Sequence, residues 1–212
     1  MSANGRVGTG FSSPFVAIYA HTGTTVSYSS TQVLARGVNV TLTPDDAGDD
    51  NIFYADNGPA ERASGVFTGA DITLTVDGLL DAARDLVMGL PAATATTVGT
   101  ATVNATYFDD DQSIPYIGIG YVVRYMSDDS TTYVGTVLPK CKLDQIADSF
   151  STQEEDIDWQ TQSLEARGFR SDSAEHEFYE FGKSFTVSTT YVDEEAAEAA
   201  ALVALKAKLG IS

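Results

Sequence analysis

Few side chains in this sequence could do chemistry. Cys141 is the single cysteine in 212 residues, and His21 and His176 are the two histidines, so a thiol nucleophile would have to take one of those imidazoles as its base. Close to it in sequence, Lys140 and Lys142 alone could lower its pKa, and the residue reads as a buried or strand-face cysteine. One cysteine makes neither an intramolecular disulfide nor a cysteine-based zinc site, which fits a reducing compartment or assembly inside a cell. There is no glycine-rich phosphate loop, no HExxH, no nucleophile elbow and no histidine pair at ligand spacing. With 30 acids in the chain, acid pairs arise by chance. A two-carboxylate glycoside hydrolase would also need an aromatic sugar platform beside such a pair, and none is recognisable. The run Asp109, Asp110, Asp111 lacks the alternating spacing of a calcium loop and reads as solvated charge. The expectation is a chain with no catalytic residue, no metal and no cofactor.

Charge narrows the function classes further. The 30 acids face 12 bases, a formal net charge of −18, so the surface repels phosphate at long range and lacks the footprint of a nucleic-acid binder. Such a charge serves solubility or salt adaptation, or a place where nucleic acid must not stick. No run of about 18 apolar residues is present, which argues against a membrane helix. The opening MSANGRVGTGFSS has one Arg and no apolar core, so it does not read as a signal peptide. The sequons at Asn39 and Asn104 are then idle, and both fall in strand-like sequence.

The elements that would position any site are mainly strands, because Thr, Ser, Val, Tyr and Phe dominate between closely spaced Gly and Asp clusters. PFVAIYA (14–20) is nearly continuous in apolar character and predicts a strand buried on both faces. VLARGVNVTLT (33–43) alternates, with Leu34, Val38, Val40 and Leu42 on one face and Asn39, Thr41 and Thr43 on the other. In VFTGADITLTVDG (66–78), Ala70, Ile72, Leu74 and Val76 oppose Asp71, Thr73, Thr75 and Asp77. Between these two strands lie residues 44–65, far longer than a hairpin loop. That loop holds Ile52, Phe53 and Tyr54 in a row, followed by Asp56, Asn57, Glu61 and Arg62. Three large apolar side chains in a turn-rich stretch predict ordered packing against another surface rather than disorder.

GLLDAARDLVMGL (78–90) predicts an amphipathic helix with Leu79, Ala82, Ala83, Leu86 and Leu90 on its apolar face, Asp77 near its N-terminus and Gly89 ending it. Residues 91–113 are small, polar and weakly patterned, an elaboration without a readable element. A hairpin follows from PYIGIGYVVRY (115–125) and TTYVGTVLPKCKL (131–143), where Gly118 and Gly120 leave a flat strip for something to pack closely. Strands are also expected in 156–169 and 177–192. A helix over 194–209 has early Glu and late Lys to suit its dipole, and a shallow Ala-rich face.

The ordered set FYADN followed by an acid, ITLTVDGL, LVMGL, PYIGIGYVVRY, TYVGTVLPKCKL and STQEEDIDWQTQSLEA resembles the major tail proteins of long-tailed bacteriophages, in particular the phi13-type tail tube family. The resemblance covers roughly residues 14–170 and departs at 91–113, which looks like an insertion, and beyond about 170. It implies a single domain over 1–212, mainly β. The fold would be a β-sandwich or half-barrel of the tail tube type with one flanking helix, an extended inter-subunit loop at 44–65 and the C-terminal helix. It further implies a non-enzymatic virion protein, assembled in the host cytoplasm, whose copies form hexameric rings that stack into a tube for DNA ejection. Its partners would be further copies and the tape measure, distal tail and terminator proteins, while DNA passes the lumen without specific binding and no membrane is involved. The loop residues Ile52, Phe53, Tyr54, Asp56, Asn57, Glu61 and Arg62 would reach a neighbour. The lumen would be lined by Asn39, Thr41, Asp71, Thr73, Thr75 and Asp77, with Asp158, Gln160 and Gln162 from the later strand. The competing expectation is a β-sandwich binding or decoration protein that recognises a host surface through its apolar loop.

Overall fold

The computed structural model describes residues 6–46, 51–55, 58–63, 67–106, 110, 112–127, 130–148, 152, 160–178 and 180–210; for residues 46, 51–55, 58–63 and 180–183 this is the backbone course alone. The expected site residues Asp56, Asn57 and Asp158 lie outside the described residues. In chain order the elements are β1 (Val7–Thr22), β2 (Thr25–Val33), β3 (Gly37–Asp46), β4 (Asn51–Ala55), β5 (Gly58–Ala63), β6 (Phe67–Val76), α1 (Asp81–Met88), β7 (Thr94–Val98), β8 (Ala101–Ala105), β9 (Ile117–Ser127), β10 (Ser130–Leu143), β11 (Gln162–Phe169), β12 (Glu180–Thr186) and α2 (Glu194–Lys208).

Eight strands form one antiparallel sheet in the order β2-β1-β9-β10-β11-β6-β3, with β12 as a branch on β10. The branch is possible because β10 is long: Lys140–Leu143 pair with β11, while Thr132–Val137 pair with β12 on the same side. The sheet curls until β3 returns to the first half of β1, where the Phe11 ring fills the space a side chain at Gly37 would need. The protein is therefore mainly β, a large antiparallel sheet with two helices.

Period-2 alternation sends the apolar side chains to two cores. Val16, Leu34, Ile72, Leu74, Val76, Ile117, Ile119, Leu138 and Leu164 gather on the concave side, where α1 adds Ala83, Val87 and Met88. The other face of the β1–β9–β10 region carries Phe15, Val122, Tyr133 and Val137, covered by Ala197, Ala201 and Leu205 of α2 and by Leu209. Neighbours in sequence such as Phe15 and Val16 thus serve opposite cores, so the near-continuous apolar run at 14–20 does mark a strand buried on both faces.

The glycine strip is the seat of α2. An added Cβ at Gly120 would lie 2.5 Å from a Leu205 methyl carbon and 2.6 Å from the Phe15 ring, and one at Gly135 would lie 2.8 Å from Leu205. Small residues on both sides, glycine on the sheet and alanine on the helix, let the two backbones approach. The first turn of α2 is anchored as well: Asp193 caps it by accepting from the Ala196 N–H at 2.8 Å, and Glu194 accepts from Tyr133 Oη at 2.9 Å and from Thr131 and pairs with Arg124.

Several expected elements change. The stretch 33–43 is not one strand, because β2 ends at Val33 and β3 begins at Gly37. The pairing of β3 with β6 slips between Gly37 and Asn39, so Val38 is an extra residue at a bulge and is 53% exposed instead of pointing inward. In α1, Ala82 faces solvent while Val87 and Met88 are buried, and Asp77 does not cap the helix: the N-cap position is Leu80. Gly89 ends it as expected, in the left-handed region at φ 59°. Residues 91–113 contain an element after all, the β7–β8 hairpin, turned at Gly99 with φ 65° and forming a two-stranded sheet of its own. Likewise β4 and β5 pair with each other and not with the large sheet.

Candidate functional site

The strands β3, β6 and β11 form a wall with one apolar and one polar face. Its register sets the rows: Asn39 opposite Thr75 opposite Ser163, Thr41 opposite Thr73 opposite Glu165, and Thr43 opposite Asp71 opposite Arg167. The alternate positions Ile72, Leu74, Val76, Leu164 and Ala166 are buried. Asn39, Thr41, Asp71, Thr73 and Thr75 therefore share one face, as the alternation requires. Their hydroxyls and amides can bind water, so the wall stays wet without offering a fixed site to an apolar ligand.

The later strand contributes different residues from those expected. Gln162 stands opposite Val76, on the side of the apolar positions, and its amide donates to Asp148 at 3.2 Å. Gln160 precedes β11 and, with Gln162, borders a hollow of about 450 Å³ that Gln145, Asp148 and Glu165 also line. The physical reason is parity: a strand starting at Gln162 with Leu164 and Ala166 inward must send Ser163, Glu165 and Arg167 outward.

Nor are Asp71 and Asp77 free. Arg167 lies flat over Gly69, where a Cβ would be 2.7 Å from its Nε, and pairs with both Asp45 (2.6 Å) and Asp71. Hydrogen bonds to Asp45 and Asp71 raise the guanidinium pKa further above its ordinary value. Asp77 accepts from the Arg36 backbone N–H at 3.1 Å and from its guanidinium. Lys142 stands opposite Arg167 in the next strand. Acids and bases thus adjoin here, with Glu165 a further acid of the same face, so the charge of this face is partly compensated.

The loop triplet Ile52, Phe53 and Tyr54 lies on β4, with Ile52 opposite Arg62, Phe53 opposite Glu61 and Tyr54 opposite Pro59. The triplet is thus part of a hairpin separate from the large sheet. The strand edges are the other feature of the surface. Among the described residues of the large sheet, β2 and β3 are terminal, β12 has β10 as its one partner, and β1 between Val7 and Ser12 pairs with β9 alone.

Cys141 is fully buried in the concave core, and burial pushes its thiol pKa up, so it stays protonated. His21 Nε2 is 3.7 Å from Asp172 Oδ2, and Lys140 Nζ is 2.6 Å from the same oxygen, with Tyr19 Oη donating to it at 2.9 Å. Donation from Lys140 and then from Tyr19 holds the Asp172 carboxyl below its ordinary pKa. This cluster ties the segment after β11 back to β1 and β10. Among the described residues no three His, Cys, Asp or Glu side chains converge as metal ligands. Compared with known proteins, the chain matches no family model and no curated protein.

Proposed function

We propose that the chain is a structural subunit of a phage tail tube, which closes into hexameric rings that stack around a channel for DNA. The observation that supports this best is the β3–β6–β11 wall, apolar behind and lined in front by Asn, Thr and Ser interspersed with paired charges. A channel wall for DNA must be wet, must offer no uncompensated cations to phosphate, and must be stiff. The wall meets the first requirement with hydroxyls, the second with the Arg167 and Arg36 ion pairs, and the third with a buried core behind it.

Unpaired strand edges give the same reading a means of assembly. An edge is a hazard in a monomer and a joint in a ring, where main-chain hydrogen bonds continue from one copy to the next. A heterologous contact that closes makes the ring, and one that does not close makes the stack. The β4–β5 hairpin, apart from the large sheet, is available to reach a neighbour. The tape measure, distal tail and terminator proteins would bound such a tube, in the virion.

Negative-stain electron microscopy of the purified protein at rising concentration tests this, alongside the variant I52S/F53S/Y54S. Rings or tubes are expected from the wild type, and a folded variant that no longer stacks. A wild-type chain that stays monomeric by sedimentation and binds host cells would instead favour a decoration protein.

A further inference from the structure

The β7–β8 hairpin pairs with no other strand among the described residues, and every residue of it except Ala105 and the turn between its strands is an exposed strand position. Its register places Thr96, Val98, Ala101 and Val103 on one side and Ala95, Thr97, Thr102 and Asn104 on the other. On the first side Val98 is 65% and Val103 50% exposed. A two-stranded hairpin is at best marginally stable in water, so one held away from its own sheet needs a surface to pack on. From Leu86 to Phe108 the sequence contains no Asp, Glu, Lys or Arg, in a chain with a net charge of −18.

A surface of matching character lies elsewhere on the molecule. An open cleft of about 590 Å³, lined by Phe11, Ser12, Val33, Ala35, Gly37 and Leu80, sits where β1, the end of β2, the start of β3 and the residue before α1 meet. Val33 and Leu80 are exposed. Beside the cleft, β1 from Val7 to Ser12 pairs with β9 alone among the described residues, so its other edge has no ladder partner there. No Asp, Glu, Lys or Arg occurs from Val7 to Ala35 or from Gly37 to Pro44. The two charges at the cleft, Arg36 and Asp77, pair with each other. Leu80 and the root of the hairpin beyond Gly89 stand at opposite ends of α1, about 12 Å apart along the helix, and the hairpin does not line the cleft of its own copy.

We propose that the β7–β8 hairpin of one copy docks in the cleft between Phe11 and Leu80 of a second copy, valine side inward and one strand edge along Val7–Ser12. Val98 and Val103 then leave water for Phe11, Val33 and Leu80, and main-chain hydrogen bonds extend the sheet past β1. Two copies of charge −18 repel each other, and a joint between two uncharged surfaces is where that repulsion opposes contact least. Each copy has one hairpin and one cleft, two different surfaces, so every copy both gives and receives. The proposal stands apart from the tube reading, because it defines a contact between copies whatever they build.

The test uses the full chain with V98D/V103D in the hairpin and V33K/L80K at the cleft, each alone and mixed in equal amounts. Sedimentation velocity across concentration and salt and electron microscopy are the readouts. Thermal melts control for folding, and V33T/L80Q, read for loss alone, replaces the cleft variant if that unfolds. Each variant alone is expected to weaken association on the order of ten-fold or more, because charge must enter an apolar contact. The mixture should restore it, with acidic hairpins in lysine clefts. Wild-type association should tighten as salt rises, since salt screens the repulsion between copies and the contact holds no ion pair of its own; weakening by salt would mean an ion-paired joint and overturn the proposal. Association unchanged in both variants also overturns it, and rings in those samples leave the tube reading in place. Loss and mutual rescue without rings in any sample supports the contact and sinks the tube reading. A wild type that stays monomeric at every salt refutes both, and a V33C/V98C disulfide closing within such monomers would assign the cleft to the copy's own hairpin. Host-cell adsorption lost in V33K/L80K, with association unchanged, would assign the cleft to a receptor and overturn the proposal.

Discussion

Tyr133 is the residue on which the first turn of α2 depends. It is 4% exposed and donates to Glu194, so both its burial and that carboxylate disfavour the phenolate, and its pKa is pushed up to about 12. The unfolded chain would ionise the same phenol near pH 10. A raised folded pKa means that the stabilisation is complete below about pH 10 and is lost as pH rises toward 12. Tyr133→Phe removes the titrating group, so its stability curve should be flatter than wild type between those two pH values. At neutral pH the same change deletes one hydrogen bond to a charged acceptor and should cost about 1–3 kcal/mol. Urea unfolding from pH 7 to 12 reads both effects, and identical alkaline slopes for the two proteins would count against the assignment. None of this was legible in the sequence, since Tyr133 and Glu194 are 61 residues apart and meet only when α2 docks.

At the scale of elements, the legible features were those with local physical causes. Strict alternation marked the polar and apolar faces of β3 and β6, and Gly118 with Gly120 marked a strip for close neighbours, which proved to be Tyr28 over Gly118 and Leu205 of α2 over Gly120. Alternation cannot reveal an extra residue, so the bulge at Val38 was hidden, as was the parity of β11, which depends on where that strand begins. The β7–β8 hairpin was hidden because all of its residues except Ala105 are exposed, leaving no apolar face to read. The seat itself can be tested. Gly120→Ala puts a methyl 2.5 Å from Leu205 and should cost about 1–3 kcal/mol by overpacking. Leu205→Ala should cost about 2–5 kcal/mol through lost burial and the space left behind. Because the new methyl enters that space, the double variant should be more stable than the sum of the single effects requires, with a coupling of roughly 0.5–3 kcal/mol. Simple additivity in urea unfolding would mean that α2 is not held where these glycines are.

For the whole molecule the question is where a formal charge of −18 acts. On the polar wall it is partly compensated, since Asp45 and Asp71 share Arg167, and Asp77 has Arg36, while Glu165 faces the same side. A tube built with this wall inward would present phosphate with dipoles and closed ion pairs rather than with a purely acidic surface. Two substitutions then push in opposite directions. Asp71→Lys leaves Arg167 to Asp45 alone and places a new ammonium beside it, so cations cluster opposite Lys142. Arg167→Gln leaves Asp45 and Asp71 without their shared cation. Exposed ion pairs contribute little to folding, about 0–1 kcal/mol, so both variants should fold and assemble. In virions carrying Asp71→Lys, DNA ejection should slow at low salt and recover as salt rises, because phosphate held by clustered cations is released by counterion competition. Arg167→Gln should eject at least as fast as wild type and show no such salt dependence. Ejection rates measured on both virions over a salt series separate the cases: a slowing in both would point to assembly defects, and an unchanged rate in both would place this wall away from the DNA.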